Sequence, residues 1–239
     1  MNRSKPKAIV IGASGGIGHA TVAALGATQQ FHVISVSRSD HNDLSDSHFS
    51  CDYTESSIRD IAEQIGALDG AIGRLIICNG VLHGDDFQPE RALKRLDAAA
   101  MDHVFHANTI TPTLWLSAFM DVLKQAPEPR IAVFSARVGS ISDNQLGGWY
   151  SYRASKAALN MVLKCAAIEL ARLNPQAKLV AFHPGTTNTN MSKPFQKGVP
   201  AEKLFSPDFV AERLLGTLDS IVPDGELAFL DWDGKPIAW

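Results

Sequence analysis

The sequence predicts an α/β fold, a doubly wound parallel sheet with helices on both faces. Two observations carry this. Short, near-continuous apolar strands alternate with helical stretches along almost all of the 239 residues, the pattern of parallel sheets covered on both sides. Residues with chemistry to offer (a glycine loop, Arg38, Asp52, Asn79, Ser135, Pro184) fall at the carboxyl ends of those strands, where such sheets bind ligands.

The elements follow in order. Ala8-Ile9-Val10-Ile11 is a buried strand that runs into Gly12-Ala13-Ser14-Gly15-Gly16-Ile17-Gly18 and a helix through Val22, Ala23 and Leu25. A second strand covers 31–37 and ends at Arg38. Residues 39–50 are polar and aperiodic, the composition of a loop. A third short strand ends at Cys51-Asp52, and Thr54 is placed to cap a helix over 55–65. The fourth strand, Leu75-Ile76-Ile77-Cys78, closes on Asn79-Gly80. A helical stretch from about 91 to 124 contains Pro112, which should kink or break it. The fifth strand is 130–134. From Ser151 to Leu173 apolar residues recur at three- and four-residue steps with no Gly or Pro, a helix that stops before Asn174-Pro175. A sixth strand covers 178–182. Ser206-Pro207-Asp208 reads as N-cap, N1 and N2 of a helix to about Leu218, and 227–230 is a last strand, about seven in all. No repeat or linker divides the chain, so one domain over 1–239 is expected.

Composition narrows the function. Apolar residues make up 45% and charged residues 20%, with a net charge of −3, ordinary for a soluble protein and without the basic footprint of a nucleic-acid binder. No apolar run approaches the ~20 residues of a membrane span. The basic start, residues 1–7, precedes an apolar run too short for a signal-peptide core. Cys51, Cys78 and Cys165 are odd in number with no CxxC, which points to reduced thiols and a cytoplasmic location. No metal site is expected.

Two motifs carry chemistry. Tyr152 and Lys156 stand one helical turn apart on the same face, so the ammonium can lie beside the phenol. A free phenol titrates near ~10. A positive charge roughly 4–5 Å away, at an effective dielectric near 20, favours phenolate by about 3–4 kcal/mol and brings the phenol towards neutral-pH proton exchange. Gly12, Gly16 and Gly18 form a GxxxGxG pattern between a strand and a helix, where backbone must turn tightly and let a pyrophosphate approach main-chain N–H groups.

The glycine loop and the Tyr152-x-x-x-Lys156 helix resemble the classical short-chain dehydrogenase/reductase family over essentially the whole chain. The run from Gly147 to Asn160 and the ending Asp231-Trp232-Asp233-Gly234-Lys235-Pro236-Ile237 look like its C-factor and sniffer-type carbonyl reductase branch. The resemblance implies a Rossmann-type fold, a nicotinamide cofactor and an Asn–Ser–Tyr–Lys site. It makes Tyr152 the acid–base, Lys156 the residue that tunes it and holds the nicotinamide ribose, and Asn108 the anchor of a proton-relay water. On its residues alone, Asn108 reads rather as a helix-kink or packing residue. The implied cofactor contacts are Gly12, Ser14, Gly15, Gly16, Ile17 and Gly18, then Ser37, Arg38, Asp52, Tyr53, Asn79 and Gly80, and finally Pro184, Gly185, Thr187 and Thr189 beside Tyr152 and Lys156. Asp52 would meet the adenine edge, or else cap the helix nearby. The family's serine pair falls on Ser135-Ala136, so its catalytic column holds Ala136. Ser135 or Ser140 would have to supply the hydroxyl.

The implied function is NADPH-dependent reduction of an aldehyde, ketone or quinone with Tyr152 as proton donor, in a homodimer or homotetramer. The alternative is a C-factor-like signalling or scaffold protein that binds NADP(H) with little turnover. Substrate contacts are expected from the loops 81–90 and 191–205, with Phe87, Trp149, Met191 and Phe195 as apolar candidates. NADP(H) is favoured over NAD(H) on physical grounds. Ser37 stands where an NAD site usually places a carboxylate, and the Arg38 guanidinium can fork onto a 2′-phosphate. Gly15, where some relatives are basic, leaves NAD(H) possible.

Overall fold

The computed structural model describes residues 4–239; residues 1–3 of the basic start lie outside it. The elements are β1 (Lys7–Ile11), α1 (Gly16–Thr28), β2 (His32–Ser37), β3 (Ser47–Ser50), α2 (Glu55–Ala67), β4 (Ile72–Ile77), α3 (Ala98–Phe105), α4 (Thr111–Leu123), β5 (Arg130–Phe134) and α5 (Tyr150–Leu173). They continue with β6 (Lys178–His183), β7 (Thr186–Thr187), β8 (Leu204–Phe205), α6 (Pro207–Ser220) and β9 (Ala228–Asp231).

Seven strands form one sheet in the order β3-β2-β1-β4-β5-β6-β9, every neighbouring pair parallel. The predicted doubly wound architecture is the observed one. Because strand side chains alternate between faces, β1 feeds both cores. Ile9 and Ile11 pack towards Ile58, Trp115 and Leu159 of α2, α4 and α5, while Ala8 and Val10 pack towards Val22 and Leu214 of α1 and α6. Such burial contributes roughly 1.5–3 kcal/mol per large side chain. The chain order reverses between β1 and β4, and that switch point opens a crevice at the strands' carboxyl ends.

Buried polar groups secure the opposite end of the sheet. Lys7 is 1% exposed, and its Nζ donates to the carbonyls of Ile65 (2.8 Å), Gly66 (3.3 Å) and Leu68 (2.7 Å). It thereby closes the last turn of α2, whose orphan carbonyls need donors. The predicted caps are in place: Thr54 Oγ1 accepts from Ser57 N, and Ser206 Oγ accepts from Phe209 N at 3.1 Å.

Three expectations need correction. The third strand expected to end at Cys51-Asp52 is β3, which lies one residue earlier, at 47–50 inside the stretch read as loop, and pairs with β2 through Ile34 to Ser37. The stretch 91–124 is not one helix. A short 3-10 turn precedes α3, and a π-turn over His106–Ile110 joins α3 to α4. Pro112 lacks an N–H and its ring crowds the carbonyl four residues back, that of Asn108, so the helix widens there instead of breaking. The two-residue strands β7 and β8 were not foreseen. They pair Thr186 with Leu204 and Thr187 with Phe205, too short for any sequence pattern.

Candidate active site

The glycine loop is shaped for close approach. Gly12 sits at φ 81°. A Cβ on Gly18 would stand 2.4 Å from the Gly12 carbonyl oxygen, and one on Gly16 would stand 3.0 Å from Thr189 Cγ2. Gly15 is the flanking residue of α1 and makes no side-chain cap, which leaves the first-turn N–H groups open to an anion. Asn79 Oδ1, at the end of β4, is buried without a partner. These features fit a dinucleotide.

Two cavities flank this loop. One, about 450 Å³, is lined by Ala13, Ser14, His19, Ser37, Ser39 and His41 among others. The other, about 230 Å³, joins Ile17 to Ser135, Ala136, Tyr152, His183, Pro184, Gly185, Thr187 and Thr189. Besides Thr186 and Ser192, its remaining wall is apolar: Leu82, Val138, Trp149, Met191, Phe195 and Val199. Trp149 meets Phe195 edge-on at 5.2 Å and Tyr152 at 6.3 Å. Phe87 is not part of this wall; it packs on His103 at 5.4 Å.

Arg38 is exposed at the end of β2. The segment after it is held by His48, whose ring bridges Ser35 Oγ (2.7 Å) and the Ser39 carbonyl (2.8 Å). Nε2 donates to that carbonyl, and in the neutral ring Nδ1 accepts from Ser35. Asp52 Oδ1 accepts from Thr54 N and Oγ1 at 2.9 and 2.8 Å, and those bonds hold its carboxyl below the usual range. The carboxylate therefore braces the start of α2. Tyr53, at φ 65°, packs on Trp115, and burial pushes its phenol up to about 12.

Tyr152 and Lys156 share one face of α5, as the spacing requires. Lys156 is 3% exposed, and its Nζ donates to the Phe134 carbonyl at 2.8 Å. A Cβ on Gly80 would lie 3.5 Å from that Nζ. The expected depression of the phenol is not found. Burial pushes Tyr152 up to about 12 and Lys156 down to about 7, because desolvation disfavours the charged form of each. No hydrogen bond joins the two among the described residues.

Asn108 is fully buried in the π-turn. Its Oδ1 accepts from Val81 N at 2.7 Å, and its Nδ2 donates to Val81 O at 2.9 Å and to Ser155 Oγ at 3.1 Å. The side chain thus ties the end of β4 to α5, with both amide hydrogens and one acceptor site of Oδ1 engaged.

The serines separate. Ser135 lines the cleft, but its hydroxyl donates to Asn160 Oδ1 at 2.6 Å. Ser140 does not reach the cleft; its Oγ accepts from Asp143 N at 3.1 Å, and it lines a groove on the other flank of α5 with Tyr150 and Arg153. Two residues given no role on sequence grounds enter here. Asn160 lies two helical turns beyond Tyr152, a spacing that could have flagged it. His183 lines the cleft beside Pro184, its Nδ1 is buried without a partner, and burial pushes its ring down to about 4.

A parallel α/β fold with an open glycine loop at its switch point and a Tyr–Lys helix beside it defines a dinucleotide-dependent oxidoreductase class. The chain belongs to the short chain dehydrogenase family, whose family model matches residues 6–200, and is an NAD(P)-dependent oxidoreductase of its C-factor-like branch. It is 34% identical over 149 residues to the protein named C-signal of Myxococcus xanthus, covering 62% of this chain and 84% of that one. Benzil reductase ((S)-benzoin forming) of Bacillus cereus is 24% identical over 251 residues, 93% and 98% of the two chains. The NADPH-bound carbonyl reductase from chicken fatty liver superposes with a TM-score of 0.82 at 26% identity, covering 99% and 100%. Carbonyl reductase Sniffer of D. melanogaster shares the fold, with a TM-score of 0.81 at 21% identity over 99% and 100%.

Proposed function

We propose that the protein reduces an apolar aldehyde, ketone or quinone with NADPH, and that Tyr152 donates the proton. The observation that carries this reading is the convergence of the Tyr152 phenol, the glycine-loop residue Ile17 and an apolar wall on one cleft. A bound nicotinamide would supply the hydride that such a reduction needs. A phenol held at about 12 stays protonated at neutral pH, so Tyr152 is ready to donate to the carbonyl oxygen as negative charge develops there. Burial pushes Lys156 down to about 7, and in its charged form it would stabilise the phenolate that remains. Ser135 reaches the substrate oxygen only by giving up its bond to Asn160, so the second donor expected of the family serine is weak here.

Glycine-loop N–H groups would hold the pyrophosphate and Lys156 the nicotinamide ribose, with Thr187 and Thr189 near the ring. NADPH is favoured over NADH because Ser37 puts no carboxylate at the 2′ position and Arg38 is free to turn onto a phosphate. Charge-assisted bonds of roughly 1.5–3 kcal/mol correspond to about ten- to hundred-fold in affinity. Arg38→Ala is therefore expected to weaken NADPH by about that factor and NADH little, measured by fluorescence titration. Equal Kd values for the two cofactors in the unmodified protein would contradict the assignment.

Relatives named for carbonyl and benzil reduction support this reading. The second reading, an NADP(H)-binding signalling protein with little turnover, is favoured by the C-signal relative and by Ala136 in the cleft. Consumption of NADPH with a panel of aldehydes, ketones and quinones separates the two. We also infer one domain over 1–239 and a dimer or tetramer joined through α4 and α5, near which Ile110 is 45%, Met161 66% and Ile168 38% exposed. A cytoplasmic location is in keeping with three cysteines that remain free thiols.

A further inference from the structure

α5 begins without a cap of its own. Its flanking residue Trp149 stands in the left-handed region (φ 52°, ψ 45°) and makes no side-chain cap bond, although the first turn of any helix leaves N–H groups open. The acceptor comes from 61 residues earlier in the chain. One oxygen of the Glu90 carboxylate accepts the Ser151 N–H at 3.2 Å, and the other accepts the Ser151 hydroxyl. The Glu90 carbonyl accepts the Trp149 N–H at 2.5 Å.

Glu90 is 7% and Ser151 3% exposed, and Glu90 enters no ion pair among the described residues. Burying a carboxylate is costly unless donors or positive charge meet it. Here both come from the helix N-terminus. The approach to the helix is strained as well. Gly147, Gly148 and Trp149 all have positive φ (63°, 66° and 52°), a conformation a tryptophan holds only when its surroundings impose it. Arg153 Nε closes the same turn onto the carbonyls of Gly147 (3.2 Å) and Gly148 (3.0 Å).

We propose that Glu90 is a positioning residue for the acid–base centre. From the segment after β4 it caps α5 and fixes Trp149 and Tyr152, which lie on either side of Tyr150-Ser151, as wall and proton donor of the same cleft. The role in turnover rests on the Tyr152 reading above; the capping itself does not. Glu90 lines neither cavity, so it acts through its neighbours and not on a ligand.

The test compares Glu90→Ala and Glu90→Gln with the parent. Three quantities are measured: Kd for NADPH, kcat and KM for a carbonyl compound the parent reduces, and Trp149 emission isolated by subtracting the Trp149→Phe counterpart. Glu90→Ala is expected to lower kcat/KM by on the order of 10²-fold, the effect of misplacing a reacting group by about 1 Å. It should also shift Trp149 emission, with NADPH affinity unchanged within about two-fold. Glu90→Gln keeps an oxygen for the Ser151 N–H and should recover most of both losses. Should the alanine variant fail to fold, Glu90→Asp, one methylene too short to reach both Ser151 groups, takes its place. Unchanged Trp149 emission, or equal losses in the alanine and glutamine variants, would overturn the proposal. So would a loss of NADPH affinity in step with activity, the mark of general destabilisation. If the parent turns over no carbonyl compound, the reductase reading fails, and Trp149 emission still decides the role of Glu90.

Discussion

Tyr152→Phe is expected to lower kcat for carbonyl reduction by about 10²–10⁴-fold, the usual contribution of a positioned proton donor. The ring remains, so the cleft wall and its edge-on contact with Trp149 persist, and NADPH affinity should change little. Burial pushes the phenol up to about 12, so it is protonated at neutral pH and its conjugate base is scarce there. Reduction therefore proceeds from the resting protonation state, whereas alcohol oxidation at neutral pH first needs the phenolate. Stopped-flow or steady-state NADPH oxidation measures the loss. Retention of more than about a tenth of kcat would remove Tyr152 as the donor.

Gly18→Ala is expected to abolish cofactor binding, with an affinity loss above about 10²-fold by equilibrium dialysis (more than ~2.7 kcal/mol). The added methyl would stand 2.4 Å from the Gly12 carbonyl oxygen and 3.0 Å from Ala13 Cα. Both neighbours are backbone, so α1 and the loop must move apart, and the open N–H groups at the start of α1 lose their aim. Overpacking of this kind costs about 1–3 kcal/mol of stability, which a thermal melt would register as a lower Tm. Affinity for NADPH within a few-fold of the parent would show that residues 12–18 do not cradle a dinucleotide.

What the sequence made legible was local. β1, the glycines after it and the helix that follows are contiguous, and Tyr152 and Lys156 are read from helical spacing alone. Ser206-Pro207 announced α6 by capping chemistry. What stayed hidden depends on contacts between distant segments. Glu90 meets Ser151 across 61 residues, and Ser135 turns to Asn160 across 25; neither leaves a local pattern. Pro112 signalled a disturbance, but only the structure shows that the helix answers with a π-turn and carries Asn108 into contact with Val81 and Ser155. The acid–base balance of Tyr152 and Lys156 is hidden for the same reason. Spacing places an ammonium near a phenol, but burial, a property of the whole fold, pushes the phenol up where the ammonium alone would lower it, and pushes Lys156 down.

The most direct test of the central claim is NADPH oxidation at 340 nm with aromatic aldehydes, ketones and quinones, paired with product analysis. The account predicts that at least one carbonyl compound is reduced, with one alcohol (or hydroquinone) formed per NADPH consumed, and that Tyr152→Phe stops it. Tight NADPH binding with no carbonyl-dependent oxidation across the panel would contradict it and leave a cofactor-binding protein without reductase chemistry.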